Sequence, residues 1–499
     1  MAAQDQAEVR VQGPTLQRPA RALLSTPVIT ATLVVALGWL FGRAPGLDRV
    51  ALFEPVPEPA EATEAVPAPV LELGEATLPT ETTERPELAQ PETVDLNRAS
   101  RVRPGAPGGQ APLPPIEVEK PPVPIEDPSG VALDGFYRAL SAVQRKEPGA
   151  IARVLHHGDS IVVSDYVSGT LRRKLQEQFG DAGHGFVLMA NAWPAYFHND
   201  ISRFASSGWK VSRIVGPLTP DGLYGLGGVS FRAPPGSRAR FGTAKSGRFG
   251  RAVSRFEIAY VREPNGGELR LNLNGELHKT LSTQGERTEV AYERIEVPDG
   301  SHELEVVTTR GTSRAFGVVM ERDTPGVVLD ALGVQGARIR FLDQQDDAHW
   351  AEQLRWRAPA LLIFQFGANE SGDGFAYPME DYHRTMKAVL EQARRAVPNA
   401  GCLVLGAMDR AEKRGAALQS MAVIPALVKE QRRASAEVGC AFWDTYTAMG
   451  GPGSMSAWVT RGLGQADLTH PTGSGSEVLA SWVFRALMAG YDAHLAKER

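Results

Sequence analysis

Five positions spread along this sequence have residue types suited to acyl-group chemistry. Ser160 stands in "RVLHHGDSIVVSDYVSG", after an apolar run and before a helical one. A serine there ends a strand and opens a helix, where the positive helix pole favours an anion. Alone the signal is weak, because serine at a helix start is more often only a cap. Other segments supply partners. "FQFGANESG" puts Asn369 at a strand's carboxyl end, with an amide to donate. "LGVQGARI" offers the backbone N–H of Gly336. In "QADLTHPTGSG", Asp467 precedes His470 by three residues. That carboxylate can orient Nδ1–H and leave Nε2 to take the Ser160 proton. Singly, Asn369 caps a turn, Gly336 is a turn glycine and Asp467 starts a loop. Together they read as nucleophile Ser160, base His470 and orienting acid Asp467, with Ser160, Gly336 and Asn369 as oxyanion donors.

These residues need a scaffold that gathers strand ends. Past residue 130 strands and helices alternate. Candidate strands cover 151–158, 326–334, 360–367, 402–408 and 440–446, several of them near-continuous apolar runs. Such runs suit parallel strands covered on both faces. Between them, Val167, Leu171, Leu175 and Phe179 share a helical face. So do Tyr382, Met386, Val389, Leu390 and Ala393, and near the end Val478, Trp482, Val483 and Leu487. The pattern predicts a doubly wound α/β sheet with chemistry at its carboxyl edge. Residues 200–325 differ. They alternate apolar and polar residues between Asn-Gly and Asp-Gly turns, which predicts an inserted antiparallel β-sandwich.

The four blocks resemble those of the SGNH hydrolases, the GDSL esterase superfamily, whose blocks carry Ser, Gly, Asn and Asp-x-x-His. The resemblance implies a flavodoxin-like sheet of order 2-1-3-4-5 and the residue roles given above. More narrowly, "GDSIVVSDYVSGTLRRKLQEQFGDAGHGFV" and "FGANES" are similar to blocks of bacterial peptidoglycan O-acetylesterases. Those enzymes carry a β-sandwich resembling a carbohydrate-binding module between the first two blocks. Ile161 and Met408-Asp409-Arg410 depart from the pattern. The resemblance implies a serine acetylesterase acting on a cell-envelope carbohydrate, with no cofactor. An O-acetyltransferase using the same triad, or a tethered carbohydrate-binding protein without catalysis, are the alternatives.

His156 and His157 point to opposite faces of a strand, so they cannot easily share a metal ion; one packed and one semi-exposed imidazole are expected, and no metal. His184, Trp193, Tyr196, Phe197 and Tyr224 stand where the sheet meets the insertion. Core packing is the expectation for most of them, with stacking on sugars the alternative. Cys402 and Cys440 read as two buried thiols rather than a disulfide.

The net charge of −5 is unevenly spread, since residues 51–100 hold 11 acidic and 2 basic side chains. No basic block tracks a phosphate backbone, which argues against a nucleic-acid partner. Residues 22–41 form a 20-residue uncharged stretch long enough to span a bilayer, preceded by Arg18 and Arg21. This predicts an uncleaved anchor after a cytoplasmic segment 1–21, and a periplasmic catalytic part on a single-pass inner-membrane protein. Residues 42–128, rich in Pro and Glu, read as a disordered tether. The hydrolase then occupies 129–199 and 326–499, around the sandwich at 200–325.

Overall fold

The alternating apolar runs become a parallel sheet in the computed structural model, which describes residue 118 and residues 121–498 apart from 416. The expected cytoplasmic segment 1–21, the anchor 22–41 and most of the tether 42–128 lie outside the described residues. Among the described residues no helix is long and apolar enough to cross a membrane.

Helix α1 (Asp134–Gln144) leads into β1 (Ile151–Gly158), a short helix α2 (Ser160–Val163) and α3 (Tyr166–Phe179). Next come β2 (Gly183–Leu188), β3 (Ile201–Ala205), β4 (Lys210–Arg213), β5 (Val229–Ala233), β6 (Arg238–Thr243) and β7 (Val253–Arg262). They continue as β8 (Glu268–Leu273), β9 (Glu276–Ser282), β10 (Glu289–Gly300), β11 (Glu303–Arg310) and β12 (Ser313–Glu321). Alternation resumes with β13 (Gly326–Gly333), α4 (Asp347–Arg357), β14 (Leu361–Gln365), α5 (Ala368–Asp373), α6 (Met379–Ala396) and β15 (Gly401–Leu405). A hairpin of β16 (Ala411–Arg414) and β17 (Ala417–Ser420) precedes α7 (Ile424–Val438) and β18 (Ala441–Trp443). The chain closes with α8 (Thr445–Met449), α9 (Ser454–Thr460) and α10 (Gly473–Glu498).

Strands β13-β1-β14-β15-β18 pair in parallel, in the order 2-1-3-4-5. Side chains of α1, α3 and α10 cover one face, among them Phe136, Leu171 and Val483. Those of α4, α6 and α7 cover the other, among them Trp350, Met386 and Leu427. This double cover explains why the strands read as unbroken apolar runs. The last strand is shorter than expected: residues 445–446 already belong to α8. The tether reading also stops early. Glu126 exchanges two 2.8 Å backbone hydrogen bonds with Phe442 and so covers the otherwise open edge at β18.

The expectation of two free thiols is overturned. Leu403 faces Ala441 in the β15–β18 register, so Cys402 and Cys440 face each other one step earlier. Their Cα atoms lie 4.7 Å apart and the residues are disulfide-bonded. Facing positions of neighbouring parallel strands share one face of the sheet, and here their spacing falls within the reach of a disulfide.

The insertion forms two antiparallel sheets, β10-β7-β12-β5-β4 and β3-β6-β11-β8-β9. Its first strand arises earlier than residue 200, because β2 pairs with β12. The expected Asn274-Gly275 turn joins β8 to β9, both residues at positive φ as such a hairpin requires. Phe231 and Ile258 of one sheet and Phe241 and Leu271 of the other share a core. A buried ionic seam ties the insertion to the parallel sheet. Glu321 on β12 meets Arg153 of β1, Arg255 of β7 and Arg357 of α4, and Arg357 also pairs with Asp330 on β13. Burial alone pushes the Glu321 carboxyl up, but the three arginines hold it far below its ordinary value.

Candidate active site

β1 delivers Ser160 to the carboxyl edge of the sheet through a turn with no room for side chains. A Cβ on Gly158 would stand 2.4 Å from Val162 Cγ2, and one on Gly333 2.4 Å from the Val163 nitrogen. The two glycines, paired across β1 and β13, let α2 lie directly over the strand ends. The cap of this helix is Asp159, whose carboxylate accepts the Ile161 N–H at 3.0 Å. Ser160 is therefore relieved of capping, and its Oγ lies 2.6 Å from His470 Nε2. Helix α2 lasts one turn, because Asp165 takes a left-handed conformation (φ 53°) before α3. The Asp165 carboxylate there binds buried Arg172 through both oxygens. Ile161 points into the core, where it is 6% exposed, so the departure from the family pattern at this position concerns packing.

His470 sits in the loop before α10. Its Nδ1 lies 2.6 Å from Asp467 Oδ2, while Asp467 Oδ1 accepts the N–H groups of Thr469 and His470 at 2.9 and 3.0 Å. The tight return needs Leu468 at φ 60°. With Nδ1–H donating to the carboxylate, Nε2 is an acceptor facing the serine hydroxyl. Burial raises the Asp467 carboxyl, but hydrogen bonds from the His470 backbone and ring outweigh it and hold the group below its ordinary value. The acid thus stays ionised beside the imidazole.

Gly336 lies at the apex of the turn after β13, closed by the Ala337 N–H on Val334 O, with φ 80° and open space beside its Cα. Asn369 stands in the first turn of α5. One Nδ2–H donates to Ala337 O at 2.9 Å, which orients the amide beside that turn and leaves its second N–H for a ligand. Ser160, His470 and Asp467 are thus brought into one hydrogen-bonded chain, and Asn369 is brought against the Gly336–Ala337 turn.

Two neighbouring acids escaped the sequence reading. Asp159 and Glu370 are 0% and 1% exposed, and each keeps one oxygen without a hydrogen-bond partner. The other Glu370 oxygen accepts the Ile339 N–H at 2.8 Å. Burial pushes both carboxyls up to about 7, and at Asp159 the charge of Glu370 adds to it. Each directly neighbours a quoted site residue, yet residue type alone does not separate a buried acid from a solvated one.

The two adjacent histidines are both buried, which corrects the expectation of one semi-exposed ring. The sheet is covered on both faces, so either direction leads into a core. His156 hydrogen-bonds Gln365 and His157 stacks on Phe364. Burial lowers their pKa values to about 4 and about 3. Of the five aromatic candidates, His184, Trp193, Tyr196 and Tyr224 are buried and Phe197 is exposed. Asp165, His184 and His198 form the one metal-like group among the described residues. Its carboxylate is occupied by Arg172 and its two rings bond each other at 2.8 Å, an arrangement that repels a cation.

Residues 298–478 match the GDSL-like lipase/acylhydrolase family, a stretch that includes Gly336, Asn369, Asp467 and His470 but not Ser160. No curated protein matches the chain. Among solved structures, one titled "Peptidoglycan O-acetylesterase in action, 5 min" is 22% identical, with a TM-score of 0.63, covering 74% of this chain and 99% of that one. A family two carbohydrate esterase from Cellvibrio japonicus is 13% identical over 58% of this chain and 98% of its own, at a TM-score of 0.24. An acetylxylan esterase, Axe2 from Geobacillus stearothermophilus, is 16% identical over 33% and 73%, at 0.25. The first of these likenesses shows the fold, and the other two are too distant to add to it. The GDSL-like acylhydrolase match over residues 298–478, together with this fold, supports a carboxylic ester hydrolase that resembles the SGNH hydrolases and, among them, the peptidoglycan O-acetylesterases.

Proposed function

We propose that this protein removes O-acetyl groups from peptidoglycan through a covalent acyl-enzyme, and that residues 22–41 tether it to the inner membrane with the hydrolase on the periplasmic side. The observation that carries the reading is the 2.6 Å contact between Ser160 Oγ and His470 Nε2, backed by Asp467. His470 takes the hydroxyl proton as Ser160 Oγ bonds to the ester carbonyl carbon. The oxyanion so formed is held by the N–H groups of Ser160 and Gly336 and the free N–H of Asn369. Collapse breaks the bond to the sugar oxygen, which leaves with the proton from His470. Water, deprotonated by His470, then attacks the acetyl-serine and releases acetate. The Cys402–Cys440 disulfide is in keeping with an oxidising compartment, and the likeness to a peptidoglycan O-acetylesterase favours that polymer as substrate.

Acetate release from O-acetylated peptidoglycan tests the proposal directly. Wild-type protein is expected to release acetate and Ser160→Ala is not; release at equal rates would remove Ser160 from the reaction.

A further inference from the structure

The stretch Met408-Asp409-Arg410 departs from the family pattern in sequence, and in the structure it lies between two parts of the candidate active site. Arg410 Nη1 donates to Ala368 O at 2.8 Å and to Ser371 Oγ at 3.0 Å, both on the helix that carries Asn369. The next N–H, that of Ala411, donates to Leu468 O at 3.0 Å, in the loop that carries His470. Asp409, fully buried, accepts Ser420 Oγ and the Met455 N–H, both at 2.8 Å, and pins the segment from below. The guanidinium is thereby fixed at the edge between the oxyanion amide and the base.

Its charge is not consumed there. Its two acceptors are neutral, no carboxylate among the described residues pairs with it, and Nε and Nη2 bond nothing among them. Arg338 and Arg340, which lie against the far end of the same helix, are by contrast both paired with Asp373. A half-buried arginine anchored through one nitrogen keeps a planar, preorganised donor edge, the geometry that suits a carboxylate.

We infer that Arg410 forms an anion subsite for a carboxylate that the glycan carries near its acylated hydroxyl, which makes an acidic O-acetylated glycan the preferred substrate. The inference rests on the esterase reading of the same site. Its readout is the ratio of kcat/KM on O-acetylated peptidoglycan strands to kcat/KM on uncharged p-nitrophenyl acetate, measured on the full chain. In Arg410→Gln this ratio is expected to fall about tenfold or more, chiefly through KM for the strands, in line with loss of a hydrogen bond to a charged group. Arg410→Lys is expected to recover part of it. Ser371→Ala, which removes a neutral anchor and leaves the charge, is expected to keep the wild-type ratio. Strands stripped of peptide separate the sugar's own carboxylate from those of the stem peptide; a persisting drop assigns the sugar's. If Arg410→Gln lowers both reactions equally, the subsite is refuted and Arg410 only positions Asn369. An esterase lost in Ser160→Ala but indifferent to charge at Arg410 keeps the proposed function and discards the subsite.

Discussion

In the proposed mechanism Ser160 and His470 exchange one proton, so removing either is expected to cost nearly the same, about 10⁵–10⁶ in kcat. Asp467 orients the ring without exchanging that proton, and Asp467→Ala is expected to be about 10–100 times milder. Asn369→Ala removes one donor, for an expected loss of about 10²–10³ in kcat with little change in KM. Steady-state kinetics on p-nitrophenyl acetate read all four; an Asp467 variant more damaged than a Ser160 variant would contradict these roles. At this scale the sequence was informative where chemistry depends on type and order, as with Asp467 three residues before His470. It was silent where chemistry depends on depth. Asp159 and Glu370 are ordinary acids in sequence and become exceptional only when buried, and His156 and His157 differ from solvated histidines for the same reason.

Elements carry the consequences of those buried acids. Glu370 fixes α5 to the segment after β13 through the Ile339 N–H, facing Asp159 at the cap of α2, Tyr382 of α6, and the cations Arg338 and Arg340. Below the ordinary value of 4.5 the carboxyl is protonated whether the chain is folded or not. As pH rises from there to about 7, the unfolded chain releases the proton while the folded one retains it, so folding loses stability across that window and then levels off. Glu370→Gln keeps the acceptor and cannot titrate. Its stability relative to wild type is therefore expected to rise between about pH 4.5 and 7, by roughly 3 kcal/mol at most. Denaturant melts at a series of pH values measure this, and a constant difference would contradict it. The strands of the parallel sheet were legible because double burial writes itself as apolar runs. Strand ends were less so: β18 stops at Trp443 because Asp444 caps α8, a local choice that hydrophobicity does not encode. The Cys402–Cys440 bridge was illegible for a related reason. It depends on the register of β15 with β18, which neither strand states alone.

Across the whole molecule that bridge closes a loop with a sequence separation of 38, spanning most of β15, the hairpin and α7 and ending just before β18. Replacing both cysteines by serine is expected to lower unfolding free energy by about 2–4 kcal/mol, read from urea melts against the oxidised wild type. The insertion has a larger consequence. Its ends meet, since Ala182 donates to Val327 O and accepts from the Arg322 N–H. Its strands interleave as well: β7 lies between β10 and β12, and β11 between β6 and β8. A protease site placed at the exposed Arg287, between β9 and β10, would cut the polypeptide into two pieces. The first would carry Ser160 and the second Gly336, Asn369, Asp467 and His470. Held by the β7–β10, β8–β11, β2–β12 and β1–β13 pairings, the nicked protein is expected to co-elute as a pair and keep its esterase activity. The enzyme would then be a two-chain complex whose nucleophile and base reside on different molecules, open to control by whatever separates them.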